Sequence, residues 1–195
     1  MSFTEIGKIP TPERISRRKF LRLGMMTAAG LALPLPALAR FPGPVVVEKT
    51  LSLYNTHTGE TLNSAVYWAE GRYLPEALTS ISHLLRDHRA NEATAMDPQL
   101  FDLLYALSRQ METSEPFHVI SGFRSPVTND QLRRQGGGGV AKYSLHMDGK
   151  AVDLRLPGRN LAALRRAAMS LNGGGVGYYP RSQFVHVDTG RVRTW

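Results

Sequence analysis

The chain has no cysteine among its 195 residues. That absence excludes disulfides, a thiol nucleophile, a cysteine-borne lipid anchor and a thiolate zinc site. An exported domain without disulfides must be held by its core, or by a core helped by a metal. The apolar stretch at residues 21–33 has 13 residues, short of the ~20 that a spanning helix needs. No stable membrane span is therefore expected. No long Lys/Arg run occurs, so nothing points to nucleic acid. There is no internal repeat. Gly136-Gly-Gly-Gly139 lacks the Lys-Ser/Thr ending of a phosphate loop, and reads instead as a mobile rim or lid beside a cleft.

What is present begins with an export pattern. Ser16-Arg17-Arg18-Lys19-Phe20-Leu21 is a twin-arginine motif, followed by the apolar stretch and by Ala37-Leu38-Ala39, a small-x-small cleavage site. These three features in this order predict a signal peptide over 1–39, passage through the twin-arginine translocon (Tat) and a periplasmic location. The remaining 156 residues, 40–195, suffice for a single domain with its own core. Residues 1–39 hold six Lys/Arg and two Asp/Glu; the rest carry 18 basic and 14 acidic side chains, a net +4 of the whole chain's +8. A mildly basic exported protein suits an anionic polymer such as cell wall.

Alternation of apolar and polar residues predicts a β-hairpin from 45–54 and 61–68 around Asn55-Thr-His-Thr-Gly59. A helical stripe runs through 74–88. Asp97-Pro98 offers a cap and a first-turn proline for a second helix, with Leu100, Leu103, Leu104 and Leu107 on its buried face. Strands are expected at 117–120, 151–156, 176–179 and 184–187, and helices at 128–135 and 160–171. The class this describes is α+β, a small antiparallel sheet flanked by helices.

The chemistry concentrates in three residues. His146 and Asp153 lie too far apart to share a helix turn, but meet if the chain turns at Gly149, a residue suited to unusual backbone angles. Asp153 sits between Val152 and Leu154 in an otherwise apolar strand. A carboxylate there needs a partner, either a metal or an arginine. His186 lies between Val185 and Val187. If the two late strands are neighbours, Asp153 and His186 project from one face. Two imidazoles and one carboxylate are a common ligand set for a Zn2+ ion that keeps a fourth position open, an arrangement suited to hydrolysis.

Ser144-x-His146-x-x-Gly149-x-Ala151-x-Asp153 with the late His186 resembles the zinc murein peptidases, a superfamily that includes D-Ala-D-Ala carboxypeptidases and shares its architecture with the Hedgehog signalling domain. Ser121-Gly-Phe-Arg124-Ser125 is similar to the superfamily's upstream segment. Gly174-Gly-Val-Gly-Tyr-Tyr-Pro-Arg181 through His186-Val-Asp-Thr-Gly190, with Trp195, most resembles the murein endopeptidase K branch. The likeness is strong over 115–195 and weak over 45–114. It implies zinc ligands His146, Asp153 and His186, and an Arg124 that binds a substrate carboxylate or polarises the scissile carbonyl. A guanidinium fork suits either task.

One departure from the superfamily concerns the general base. Relatives place an acidic residue three positions before the last ligand, or a histidine two before it; here those positions hold Gln183 and Phe184. Asp188 is the nearest substitute, on the same strand face as His186. It is read as the catalytic base or as a carboxylate that orients the imidazole. Asp148 and His118 are weaker candidates. His57, His83 and His88 read as surface residues, and Tyr143, Tyr178 and Tyr179 as groove or packing residues. The resemblance implies a zinc-dependent murein endopeptidase acting on peptidoglycan stem peptides, with a D-Ala-D-Ala-type carboxypeptidase or a non-catalytic wall-binding module as alternatives.

Overall fold

A computed structural model describes residues 47–135 and 140–195. The expected signal segment and the 136–139 glycine tract lie outside the described residues. The hairpin forms as expected: β1 (Lys49–Asn55) pairs antiparallel with β2 (Thr61–Ala69). A two-residue β3 (Arg72–Tyr73) extends it. Helix α1 (Pro75–Leu84) ends earlier than the apolar stripe suggests. Leu85 is buried just beyond its end, and the chain then turns into an isolated bridge between Asp87 and Glu92.

Helix α2 (Pro98–Gln110) starts where its chemistry requires. The Asp97 side chain accepts from the Gln99 N–H, and proline takes a first-turn position where no backbone donor is needed. Leu100, Phe101, Leu104 and Leu107 are each fully buried. Strand β4 (Phe117–Ser121) follows, then α3 (Pro126–Arg134). This helix begins two residues before the expected 128, because Ser125 caps it through Thr128 N–H and Pro126 opens the first turn. Strand β5 (Ala151–Arg155), helix α4 (Leu161–Ser170) capped by Asn160, β6 (Gly175–Tyr179), β7 (Phe184–Asp188) and β8 (Arg193–Thr194) complete the chain.

Among the described residues, eight strands form one sheet in the order β3-β2-β1-β4-β5-β7-β6-β8. The α+β class holds, with a sheet larger than the expected small one. Two of its pairings are parallel, β1 with β4 and β6 with β8. The first needs a crossover, and β2, β3, α1 and α2 supply it. Among the described residues no helix is long and apolar enough to cross a membrane.

Alternation along β5 and β7 divides the sheet into two functions. Val152, Leu154, Val185 and Val187 are fully buried and join the core with α2 and α4. Asp153 and His186 point to the other face and are direct cross-strand partners. Truncating Leu104 to alanine is expected to lower the unfolding free energy by about 2–5 kcal/mol, measured by urea denaturation of the otherwise unchanged chain.

Candidate metal centre

Asp153 and His186 come from paired strands, so the sheet itself sets their separation. His186 Nδ1 lies 2.9 Å from Asp153 Oδ1. The third residue, His146, reaches them from the 144–150 loop. That loop is closed by Met147 N–H to Ser144 C=O and Lys150 N–H to Leu145 C=O, both 2.9 Å. Gly149 takes φ +66°, and a Cβ there would sit 2.8 Å from the Ala95 carbonyl. The turn expected at this glycine is thus required by both backbone angle and space.

His146 Nε2 lies 3.3 Å from Asp153 Oδ1 and 3.2 Å from His186 Nδ1. All three residues are buried. A tetrahedral ion with ligand distances of about 2.0 Å has edges of about 3.3 Å between its ligands. Two of the separations, 3.2 and 3.3 Å, match that spacing, and the third, 2.9 Å, is shorter.

The tautomers support the same conclusion. His146 Nδ1 lies 2.7 Å from the Gly122 carbonyl, which can only accept, so the proton is on Nδ1 and Nε2 presents a lone pair. His186 lies between two carboxylates, Nε2 3.0 Å from Asp188 Oδ2 and Nδ1 2.9 Å from Asp153 Oδ1; in the tautomer that gives its N–H to Asp188, the Nδ1 lone pair points inward. In that tautomer two nitrogen lone pairs and a carboxylate oxygen converge, a set that repels itself without a cation between. The electrostatics favour a positive charge within the cluster, which a proton on His186 or a metal ion can supply. Burial would raise the Asp153 pKa, but the two imidazoles hold it well below the usual carboxylate range. Burial would lower that of His186, yet its contacts to Asp153 and Asp188 raise it. The cluster could hold a metal ion.

These residues lie in a cleft of about 510 Å³ that Arg124, Tyr143, Tyr179, Phe184 and Trp195 also line. Arg124 Nη2 is 3.6 Å from Asp153 Oδ2. Its other contacts are long, 3.4 Å to Asn129 Oδ1 and 3.4 Å to Ser121 Oγ, and its buried Nε has no partner. Burial pulls its pKa below the usual value, against the opposing effect of Asp153. A guanidinium so loosely satisfied has donors left for an incoming oxygen. Of the three tyrosines, Tyr143 and Tyr179 line the cleft, whereas Tyr178 packs against the core under Arg165.

Asp188 is fully buried. Its Oδ1 accepts from Gly175 N–H, Gly190 N–H and Arg193; its Oδ2 accepts from Arg193 and His186. Of its two expected roles, orienting the imidazole is the one these contacts fit. Asp148 is exposed and His118 packs against Tyr54; neither lines the cleft. Among the described lining residues Asp153 is the one carboxylate. His57 and His83 are exposed as expected, but His88 is half-buried and stacks on His57 at 3.9 Å.

Sequence reasoning missed Asp87. It lies inside the helical stripe and carries no motif. In the fold its Oδ2 accepts from Ser125 N–H at 2.9 Å, bracing the segment that presents Arg124. Trp195 was legible only through the resemblance. It stands 5.2 Å from the His186 ring.

Lone-pair donors around one point, with a guanidinium at hand in an open cleft, are the working parts of a metallopeptidase. The chain belongs to the peptidase family described as peptidoglycan L,D-endopeptidase MepK, matched over residues 45–195. It is 44% identical over 180 residues to the peptidoglycan L,D-endopeptidase MepK of Escherichia coli K12, covering 92% of this chain and 97% of that one. It is also 41% identical over 181 residues to the probable peptidoglycan L,D-endopeptidase MepK of Haemophilus influenzae, covering 92% and 95%. The murein endopeptidase K branch indicated by the motifs is the branch these comparisons support.

Asp87 supplies a pH test. Burial pushes its pKa up, but hydrogen bonds from Thr128, Ser125 and Arg89 outweigh this and hold it at about 2. A lowered folded-state pKa contributes stability above the unfolded value, and that stability is lost as pH falls through the folded one. The expected result is a stability loss between about pH 4 and pH 2 that is smaller in Asp87→Asn, read from urea midpoints across that range.

Proposed function

We propose that this protein is a zinc-dependent peptidoglycan endopeptidase that hydrolyses L,D-linked peptide cross-links between stem peptides. The observation that carries the reading is the convergence of His146 Nε2, Asp153 Oδ1 and His186 Nδ1 at 2.9–3.3 Å from one another. Membership of the endopeptidase family supports the substrate class. The same three residues would hold Zn2+; the oxygen and nitrogen donors suit that ion. Bound there, zinc supplies Lewis acidity toward a carbonyl oxygen and toward water.

The chain's own groups supply positioning. Arg124 offers its under-used donors to a stem-peptide carboxylate or to the carbonyl oxygen as charge develops on it. The Asp153 carboxylate, 3.6 Å away, keeps the guanidinium turned into the cleft. Asp188 holds the His186 proton on Nε2 and so keeps Nδ1 free for the metal. Tyr143 and Tyr179 form cleft walls for the peptide. The twin-arginine pattern supports export through the Tat translocon, cleavage after Ala39 and work in the periplasm, where this substrate lies.

A wall-binding module without catalysis is the second reading, favoured by the scarcity of carboxylates in the described cleft lining. Digestion of purified cross-linked muropeptides separates the two. The expected result is conversion of L,D-linked dimers to monomers with zinc, and its loss with a chelator or in His186→Ala. Dimers that survive intact with stoichiometric zinc bound would overturn the endopeptidase reading, and retained murein binding would then favour the module.

Arg124→Ala should lower kcat/KM on the same dimers by about 10²–10³-fold while leaving zinc content unchanged. Steady-state kinetics beside metal analysis check both halves of that expectation.

A further inference from the structure

The last strand does more than close the sheet. β8 runs parallel to β6, with Arg193 beside Gly175 and Thr194 beside Val176. From there the Arg193 side chain reaches Asp188 as a fork: Nη2 to Oδ2 at 2.7 Å and Nη1 to Oδ1 at 3.1 Å. The carboxylate it grips is fully buried, while the guanidinium is about one-third exposed toward the cleft. Its Cζ also lies 4.9 Å from the centre of the Trp195 ring.

Two glycines make room for this arrangement. A Cβ on Gly175 would stand 2.5 Å from both Arg193 Nη1 and Asp188 Oδ2. A Cβ on Gly177 would meet the Trp195 ring at 2.7 Å. The glycine-rich run before β7 thus forms the floor on which the Arg193–Trp195 segment lies.

We infer that Arg193 is a positioning residue for the metal centre, acting on His186 through Asp188. Asp188 Oδ2 has two side-chain partners, the His186 N–H and the Arg193 guanidinium. Without the fork, Oδ2 keeps the imidazole alone, and the carboxylate is held only through Oδ1, by the Gly175 and Gly190 N–H groups. Lysine cannot replace the fork, because a single ammonium point charge does not span both oxygens. Charge-assisted bidentate contacts are the strong, direction-fixing kind. Arg193 therefore sets how firmly the His186 Nδ1 lone pair is aimed at the ion.

The inference rests on the zinc reading above, and its test keeps the two apart. Zinc affinity is measured on the full chain by competition with a chromophoric chelator, for wild type, Arg193→Ala, Arg193→Lys, Gly175→Ala and an Arg191→Ala control. Arg193→Ala should bind zinc about 10–100-fold more weakly, Arg193→Lys and Gly175→Ala less so but measurably, and Arg191→Ala like wild type. The visible absorption of the cobalt(II)-loaded protein should change in Arg193→Ala while far-ultraviolet circular dichroism does not, a response that general destabilisation would not give. If Arg193→Ala does not fold, Arg193→Lys carries the test, since it keeps the charge and loses the fork. A folded Arg193→Ala, or an Arg193→Lys, with wild-type affinity and an unchanged cobalt spectrum overturns the inference alone. A wild type that binds no zinc removes the metal reading and this inference with it.

Discussion

The register between β5 and β7 is the constraint on which the rest depends. Asp153 opposite His186 means that Val152 opposes Val187 and Leu154 opposes Val185. A slip of one residue would turn every side chain of one strand to the other face. It would bury a carboxylate or an imidazole among the helices and expose the valines. The core therefore enforces the candidate metal centre: burying Val152, Leu154, Val185 and Val187 against α2 and α4 leaves Asp153 and His186 one arrangement on the far side.

Each candidate ligand is held from behind by a different kind of partner. A backbone carbonyl, Gly122, takes the His146 proton. A buried carboxylate, Asp188, accepts the His186 N–H. A guanidinium, Arg124, sits against the second oxygen of Asp153. One atom of each side chain is thus turned inward because the other is engaged. This is the usual logic of outer partners around a metal, distributed here over β7 and the loop that follows β4.

Much of this was legible in the sequence, for physical reasons. Periodicity located the hairpin, α2 and the late strands, and cap chemistry placed the start of α2 at Asp97-Pro98. Asp153 and His186 stood out as candidate ligands because charged or titratable residues inside apolar strands need partners. Other features had no such signal. The β1–β4 pairing is parallel and joins segments separated by two helices, which no local pattern records. β3 and β8 are two residues long, below the reach of any periodicity. Leu85 continued the apolar stripe past the true end of α1, because a buried residue just after a helix looks like one within it. Asp87 was hidden there, and Asp188 could be read two ways until its five contacts were visible.

Those two shortest strands occupy the two ends of the sheet. An open sheet usually exposes a row of unpaired backbone donors and acceptors along each margin, where another chain can add itself. Here β3 pairs with only Trp68 and Ala69 of β2, and β8 with only Gly175 and Val176 of β6. Among the described residues the rest of β2, from Thr61 to Val66, has a strand partner on one side only, so that stretch is the part of the margin with room for an added strand.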